Sequence, residues 1–356
     1  MTVPKTFKAA VVPEPKKQHI IADRSLQPLQ SGEVAIKITA TAINPIDWKM
    51  RDHNVILQEL PAVLGSDGAG EIAAVGPDVS DFSVGDRVFF QGTIGNYDAS
   101  TFQQFANIDS KLAAKTPSNI SDDEASTIFV TSVAALVAFY DRTGRELPAP
   151  WDKGGDSVGN NAAIVIIGGS SSMGQYAIQM ARLSGYSKII TNSSPQHKEF
   201  LQNLGATAVL DRQATADDFV AAVGYTPLDF ILDTISARVT KQLSVDIVRG
   251  AKVTKAEVTK IVIVLIPDLD FEEFDAEQEP KATLHRILGV GSFPQLRYLS
   301  EPFVKHLGGE DGYIARGLFK PNRLVVVPGG LAGVDPALEK SKKGVSGEKV
   351  VIRPFE

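Results

Sequence analysis

The stretch from Ala162 to Gly205 most constrains what this chain can fold into. It reads AAIVIIGGSSSMGQYAIQMARLSGYSKIITNSSPQHKEFLQNLG. An apolar run of strand length, Ala162 to Ile167, enters a Gly/Ser loop that extends from Gly168 to Gly174. The spacing predicts an amphipathic helix over about Met173 to Ser184 and a second short strand, Lys188 to Thr191. Strand, glycine-rich turn, helix and strand in this order make a βαβ unit, and its helix N-terminus can hold a pyrophosphate on backbone N–H groups. The unit begins mid-chain, so another structure is built before it.

At 356 residues the chain is long enough for two domains, each with its own core. The first part reads as β-rich. Phe7 to Val12, Val34 to Thr41, Gly70 to Val75 and Asp86 to Phe90 have strand content, separated by turns at Ser31-Gly32, Gly76-Pro77 and Val84-Gly85-Asp86. Thr101 to Asn107 reads as another short strand. From Ser121, SDDEASTIFVTSVAALVAFYDRTG reads as a helix start, with a Ser N-cap, an acidic first turn and then a long apolar stretch. Arg145 to Asn161 is turn-rich and reads as an exposed excursion. After the βαβ unit, helical stretches (Pro195 to Leu204, Ala214 to Val223, Ala237 to Val248) alternate with strands. Those strands are Ala208 to Leu210, Phe230 to Asp233, Ile261 to Ile266 and Ile287 to Val290. Such alternation predicts a parallel sheet covered on both faces. Pro267 to Pro280 is acidic and reads as a solvated loop; a final helix and the strands Leu324 to Val327 and Val350 to Ile352 complete the chain.

Composition excludes several kinds of chemistry. The chain has no cysteine, which removes disulfides, a thiol nucleophile and thiolate metal sites. Its five histidines are scattered, so no metal is expected. A net charge of -6 without a basic stripe argues against nucleic acid as a partner. No apolar run approaches a membrane span and the first residues lack the apolar core of a signal peptide, so the expected location is the cytoplasm, away from membranes.

The loop spacing Gly169-x-Ser171-x-x-Gly174 matches GxGxxG with serine at the middle position. Gly169, Ser170, Ser171, Ser172, Met173 and Gly174 are therefore candidate cofactor-binding residues, with the serine hydroxyls as further donors to phosphate. Preference between NAD and NADP is read at the end of the second strand. NAD binders usually place an acid there for the ribose 2′-OH, whereas a 2′-phosphate needs cations and hydroxyls. Here Thr191-Asn192-Ser193-Ser194-Pro195-Gln196-His197-Lys198 contains no acid. Ser193, Ser194 and Lys198 suit a phosphate, so the expected cofactor is NADPH.

The N-terminal part carries a family signature. Asn44-Pro45-Ile46-Asp47-Trp48-Lys49 resembles the NPxDxK segment of zinc-free medium-chain dehydrogenase/reductases. Leu64-Gly65-Ser66-Asp67-Gly68-Ala69-Gly70-Glu71, with Val75-Gly76 and Val84-Gly85-Asp86-Arg87-Val88, resembles the LGxDxAGxVxxVG…GDRV signature of the same superfamily. Gly347-Glu348-Lys349-Val350-Val351 is similar to its closing strand. The resemblance implies a Rossmann doubly wound parallel sheet inserted between the two parts of a β-rich GroES-like domain. The GroES-like catalytic part would comprise 1–125 and 295–356, and the Rossmann part 126–294. Zinc alcohol dehydrogenases carry GHE where this chain has Gly65-Ser66-Asp67, so zinc-independent chemistry is implied. The loop GGSSSMGQYAIQMARLSGY and the ending GVSGEKVVIR are most similar to the fungal branch of trans-acting enoyl reductases; quinone reductases form the neighbouring branch.

That resemblance implies hydride delivery to an alkene conjugated to a carbonyl in a small-molecule substrate, free or carried on a partner protein, with NADPH:quinone reduction as the alternative. An NADPH-binding regulatory protein without turnover is a third reading. An enolate developing in the reaction needs a hydrogen-bond donor and a proton source. Lys49, Tyr97 and Tyr140 are the candidate catalytic donors. The resemblance places Lys49 near the nicotinamide ribose, with Asn44 and Asp47 ordering its loop and Asn44 on the cofactor side. Asp229 and Asp233 resemble the family's DxxxDxxG segment without its glycine, which makes Thr234 and Ile235 candidate cofactor contacts. Ser292 and Phe293, beyond the last sheet strand, are further candidates. Relatives often pair through an edge strand of the nucleotide domain; the expectation here is a monomer or homodimer, with Arg145 to Asn161 or Pro267 to Pro280 as possible covers of that edge.

Overall fold

Short apolar runs broken by turns build the first part of the computed structural model, which describes residues 3–57, 59–264 and 281–356. Its strands are β1 (Phe7–Val12), β2 (Ile20–Arg24), β3 (Glu33–Ala42), β4 (Ala62–Val63), β5 (Asp67–Val75), β6 (Arg87–Gln91), β7 (Phe105–Asp109) and β8 (Ala113–Lys115). β1 lies between β2 and β4 in one antiparallel sheet. β3, β5, β6 and β8 run side by side in a second, with β7 also paired to β3. Alternation along β3 and β6 points Val34, Ile36, Ile38, Val88 and Phe90 into one apolar cluster. Helix α1 (Pro45–His53) succeeds β3, and α2 (Asp122–Ala125) and α3 (Phe129–Tyr140) succeed β8.

The central part alternates strand and helix up to β13: β9 (Ala163–Ile167), α4 (Ser172–Leu183), β10 (Lys188–Ser193), α5 (Lys198–Leu204), β11 (Ala208–Asp211), α6 (Ala216–Val223), β12 (Leu228–Asp233), α7 (Arg238–Gly250) and β13 (Thr259–Val264), with β14 (Ala282–Ile287) the last strand. All neighbours pair in parallel, in the order β11-β10-β9-β12-β13-β14. This is the doubly wound 3-2-1-4-5-6 arrangement, whose switch point lies between β9 and β12. A strand with helices on both faces must be apolar on both, and β9 is buried at every position. The chain then returns through α8 (Arg297–Leu307), β15 (Leu324–Val326), α9 (Val334–Lys343) and β16 (Lys349–Ile352). β16 sits between β15 and β3, completing the second sheet. Two compact units result: unit 1 from residues 1–130 and 290–356, and unit 2 from residues 131–289. The parallel sheet is thus inserted between two parts of a β-rich unit, as expected for the fold class.

Several local expectations need correction. The helix expected from Ser121 breaks after Ala125. Ser121 and Glu124 form a reciprocal capping box on α2, and α3 starts afresh at Phe129. The stretch Asp122–Tyr140 does reach the length and apolarity of a membrane span, and it is mostly buried within the protein. The excursion from Arg145 to Asn161 is not simply exposed. Leu147, Ala149, Gly155 and Gly159 are buried, and Arg145 grips the fully buried Asp229 through Nε (2.9 Å). The last parallel strand covers Ala282–Ile287 rather than Ile287 to Val290, because it lies at the sheet edge and its exposed face lacks a continuous apolar run. The acidic segment Pro267 to Pro280, and Leu265-Ile266 at the end of the expected strand, lie outside the described residues.

Candidate functional site

The glycine loop of unit 2 is shaped by close approach. A Cβ at Gly174 would lie 2.3 Å from the Gly168 carbonyl oxygen and 2.8 Å from the Gly169 Cα, so the helix packs backbone to backbone against the turn. A Cβ at Gly169 would lie 2.1 Å from the Thr191 hydroxyl, itself held on the Ile166 carbonyl at 2.6 Å. Ser171 caps α4, its Oγ accepting from the Gly174 N–H at 2.9 Å. That hydroxyl also meets Thr234 Oγ1 at 2.9 Å, and Thr234 donates to the Ile167 carbonyl at 2.8 Å. The loops after β9 and β12 are therefore joined at the switch point, with Ser171 engaged in the turn itself. The hydroxyl of Ser170 has no hydrogen-bond partner among the described residues, while Ser172 meets Thr131 Oγ1 at 2.8 Å. Ser172 and Met173 open α4, where first-turn N–H groups have no intrahelical acceptor. Such a cradle fits the pyrophosphate of a dinucleotide. Gly174→Ala is expected to destabilise unit 2 by about 1–3 kcal/mol through overpacking of backbone and to weaken dinucleotide binding; thermal denaturation and a binding titration check both.

Other positions in unit 2 complete this site. Asn192 pins the loop: its Oδ1 accepts from the Gly168 N–H at 2.9 Å and its carbonyl from the Gly169 N–H at 3.2 Å. Ser193 is buried and its Oγ has no partner among the described residues; Ser194 makes no side-chain cap bond, and Lys198 is exposed. Ile235 packs against Gly168, where a Cβ would meet its side chain at 2.6 Å. Where the family segment has glycine, Ser236 adopts φ 59°, a left-handed conformation. Its Oγ offsets the strain by donating to the Asp233 carbonyl and accepting from the Val264 N–H, both at 3.0 Å. Burial raises the Asp233 carboxyl above its ordinary range although it accepts from the Ile235 and Ser236 amides.

Unit 1 holds a second cluster. Asn44 precedes α1, and its side chain makes no cap hydrogen bond to that helix. Its Nδ2 donates to Asp67 Oδ2 (3.0 Å), and its backbone N–H donates to Asp47 (2.7 Å). Asp67 also accepts from Lys349 Nζ (2.5 Å) and from the Val130 N–H (2.8 Å). Asp47, Asp67 and Lys349 are at most 3 % exposed. Two acids are thus buried near one ammonium, which is bonded to Asp67. Asp47 is pushed up to about 7, mainly by burial, with Asp67 adding to the shift and Lys349 opposing it. Lys49 lies on the same helix with its Nζ 5.3 Å from the Trp48 ring centroid, and burial lowers its ammonium from the ordinary lysine range. Ser292 and Phe293 also belong to unit 1, the Ser292 Oγ buried without a partner among the described residues.

The two tyrosines are not available as donors. Tyr140 is buried at the end of α3 and its hydroxyl meets Ser184 Oγ at 2.8 Å. Ser184 ends α4, roughly 18 Å from the glycine loop at 1.5 Å per residue. Tyr97 donates to the Glu59 carbonyl at 2.5 Å and accepts from its N–H at 3.2 Å, which closes a loop of unit 1. Sequence reasoning also missed Thr131 and the pinning role of Asn192. A Thr131-Ser132 pair in an otherwise apolar helix start was the available signal for the first.

Comparison with known proteins bears on the family and the fold. Residues 30–118 match the alcohol dehydrogenase GroES-like domain. The chain is 32% identical over 241 residues to trans-enoyl reductase TOXD of Cochliobolus carbonum, covering 66% of this chain and 78% of that protein. It is 29% identical to trans-enoyl reductase tndF of Aspergillus flavipes, covering 97% and 98%. A chloroplast envelope quinone oxidoreductase homolog of Arabidopsis thaliana is 30% identical, covering 51% and 53%. Among solved structures, an alcohol dehydrogenase superfamily protein from Novosphingobium aromaticivorans superposes with a TM-score of 0.74 at 24% identity, covering 98% and 99%.

Proposed function

The chain belongs to the medium-chain dehydrogenase/reductase superfamily, and from that premise we propose that it is an NADPH-dependent, zinc-independent reductase of activated C=C bonds. The observation that carries this reading is the similarity, over nearly the whole chain, to a protein named as a trans-enoyl reductase. When bound, the reduced nicotinamide supplies a hydride to the β-carbon of an alkene conjugated to a carbonyl. The chain's own part is to hold the dinucleotide and deliver a proton. Gly169, Ser170, Ser172, Met173 and Gly174 cradle the pyrophosphate, Ser193, Ser194 and Lys198 receive the 2′-phosphate, and Asn44, Thr234, Ile235, Ser292 and Phe293 complete the cofactor set.

Lys49 is the assigned catalytic residue: a half-buried ammonium with lowered proton affinity suits a donor to ribose and to the product's α-carbon. Support for zinc independence comes from the donor set. Ser66 and Asp67 stand where zinc enzymes have His and Glu, and Asp67 is already saturated by Lys349, Asn44 and the Val130 amide.

The test is NADPH oxidation on addition of enals, enones, enoyl thioesters and quinones to the purified protein. Turnover with the conjugated alkenes is expected. Turnover with quinones alone would replace this reading by quinone reduction, and NADPH binding without turnover would leave a binding protein. Lys49→Met is expected to lower kcat about 100-fold while NADPH affinity falls less; unchanged turnover and affinity would remove Lys49 from the mechanism.

A further inference from the structure

Arg212 comes immediately after β11, and the parallel register sets Ser193 on β10 against Asp211 on β11. One side chain ties this corner to the phosphate loop. Asn192 Nδ2 donates to the Arg212 carbonyl at 3.3 Å, while Asn192 Oδ1 accepts from the Gly168 N–H at 2.9 Å. The backbone of Arg212 is therefore indexed to the glycine turn through a single amide group. Its guanidinium is exposed and has no hydrogen-bond or ion-pair partner among the described residues. The neighbouring carboxylate of Asp211 is turned onto its own chain, accepting from the Gln213 N–H at 2.9 Å.

A second observation marks the same corner as built for a ligand. Ser193 is 4% exposed, yet its Oγ lacks any partner among the described residues. Buried hydroxyls are ordinarily satisfied, so an orphan whose strand register places it opposite Asp211, the residue before an unneutralised cation, calls for a group rich in acceptor oxygens. Lys198 is exposed and equally without a side-chain partner among the described residues, but it is a point charge on a flexible stem. A guanidinium can give two parallel N–H bonds to one phosphate, which makes it the more discriminating cation.

We propose that Arg212 sets this chain's choice of NADPH over NADH, by pairing its guanidinium with the cofactor's 2′-phosphate beside the Ser193 hydroxyl. The assignment rests on the NADPH reading above and adds a residue outside the turn after β10. It is tested by titrating the wild-type protein, Arg212→Gln, Arg212→Lys and Lys198→Gln with NADPH, NADH and adenosine 2′,5′-bisphosphate at two salt concentrations. Wild type is expected to bind NADPH more tightly than NADH. Arg212→Gln should lose about 10- to 100-fold in affinity for NADPH and for the bisphosphate, the scale of a hydrogen-bonded charge pair, with NADH affinity within about twofold. That unchanged NADH affinity also shows that the variant is folded. Arg212→Lys should recover part of the loss, Lys198→Gln should cost less than Arg212→Gln, and the salt dependence of NADPH binding should flatten in Arg212→Gln. Equal losses for NADPH and NADH, or no loss, in a wild-type background that prefers NADPH would overturn the role of Arg212 alone. A wild type that does not distinguish the two cofactors would instead overturn the NADPH reading.

Discussion

Replacing Lys349 by methionine is expected to destabilise unit 1 by about 3–5 kcal/mol, the cost of leaving a buried charge without its partner. Lys349 Nζ donates to Asp67 Oδ2 at 2.5 Å and to the Thr127 carbonyl at 3.1 Å, with its side chain 3% exposed. Methionine fills most of the volume but removes the only positive charge bonded to Asp67 among the described residues, and the Asp67 side chain is fully buried. The lost free energy should come mainly from uncompensated carboxylate and only slightly from packing. A double variant separates the two: Lys349→Met with Asp67→Asn removes both charges and should recover much of the stability. Chemical denaturation of the two single variants and the double variant measures the coupling. Additive losses would show that the pair contributes no specific interaction.

Asp47→Asn should change the pH dependence of stability more than its magnitude at any one pH. The carboxyl of Asp47 is held at about 7 in the native protein, chiefly by burial, against an ordinary value near 3.8. The native state thus binds this proton more tightly than the unfolded chain. Stability contributed by the proton is fully present below about pH 4 and is lost as pH rises towards 7. Over roughly 3 pH units the loss amounts to about 4 kcal/mol. Asparagine does not titrate, so the difference in unfolding free energy, Asp47→Asn minus wild type, should rise in favour of the variant from pH 4 to pH 7 and then level off. Parallel curves for the two proteins would mean that Asp47 titrates near its ordinary value.

The elements most legible in the sequence are those whose pattern is dictated locally. β9 is buried on both faces and therefore reads as an uninterrupted apolar run, and Gly169 is fixed by the Thr191 side chain and Gly174 by backbone contacts, all within one βαβ unit. The edge strand β14 carries no such pattern, and its expected position is off by several residues. Less legible are features made by residues far apart in the chain. Nothing local in Gly347-Glu348-Lys349 reveals that its ammonium neutralises a carboxylate 282 positions earlier. Nor could composition show that Tyr140 faces the wrong end of α4, since that depends on the direction in which α3 meets Ser184. Arg212 escapes notice in the sequence because the cofactor-discriminating turn is sought on one strand, whereas Asn192 brings in the end of the neighbouring one.

The interleaving of the two units fixes an order of events during synthesis. Residues 131–289 form a contiguous unit, so that sheet can close while the ribosome is still adding α8, β15, α9 and β16. The β-rich unit cannot. Its β3 lacks β16, and Asp67 lacks its cation, until the whole nucleotide unit has emerged. A nascent chain therefore carries β3 without its β16 partner and a carboxylate, Asp67, that must stay hydrated, and the arrival of Lys349 is the step that lets that core dry and lock.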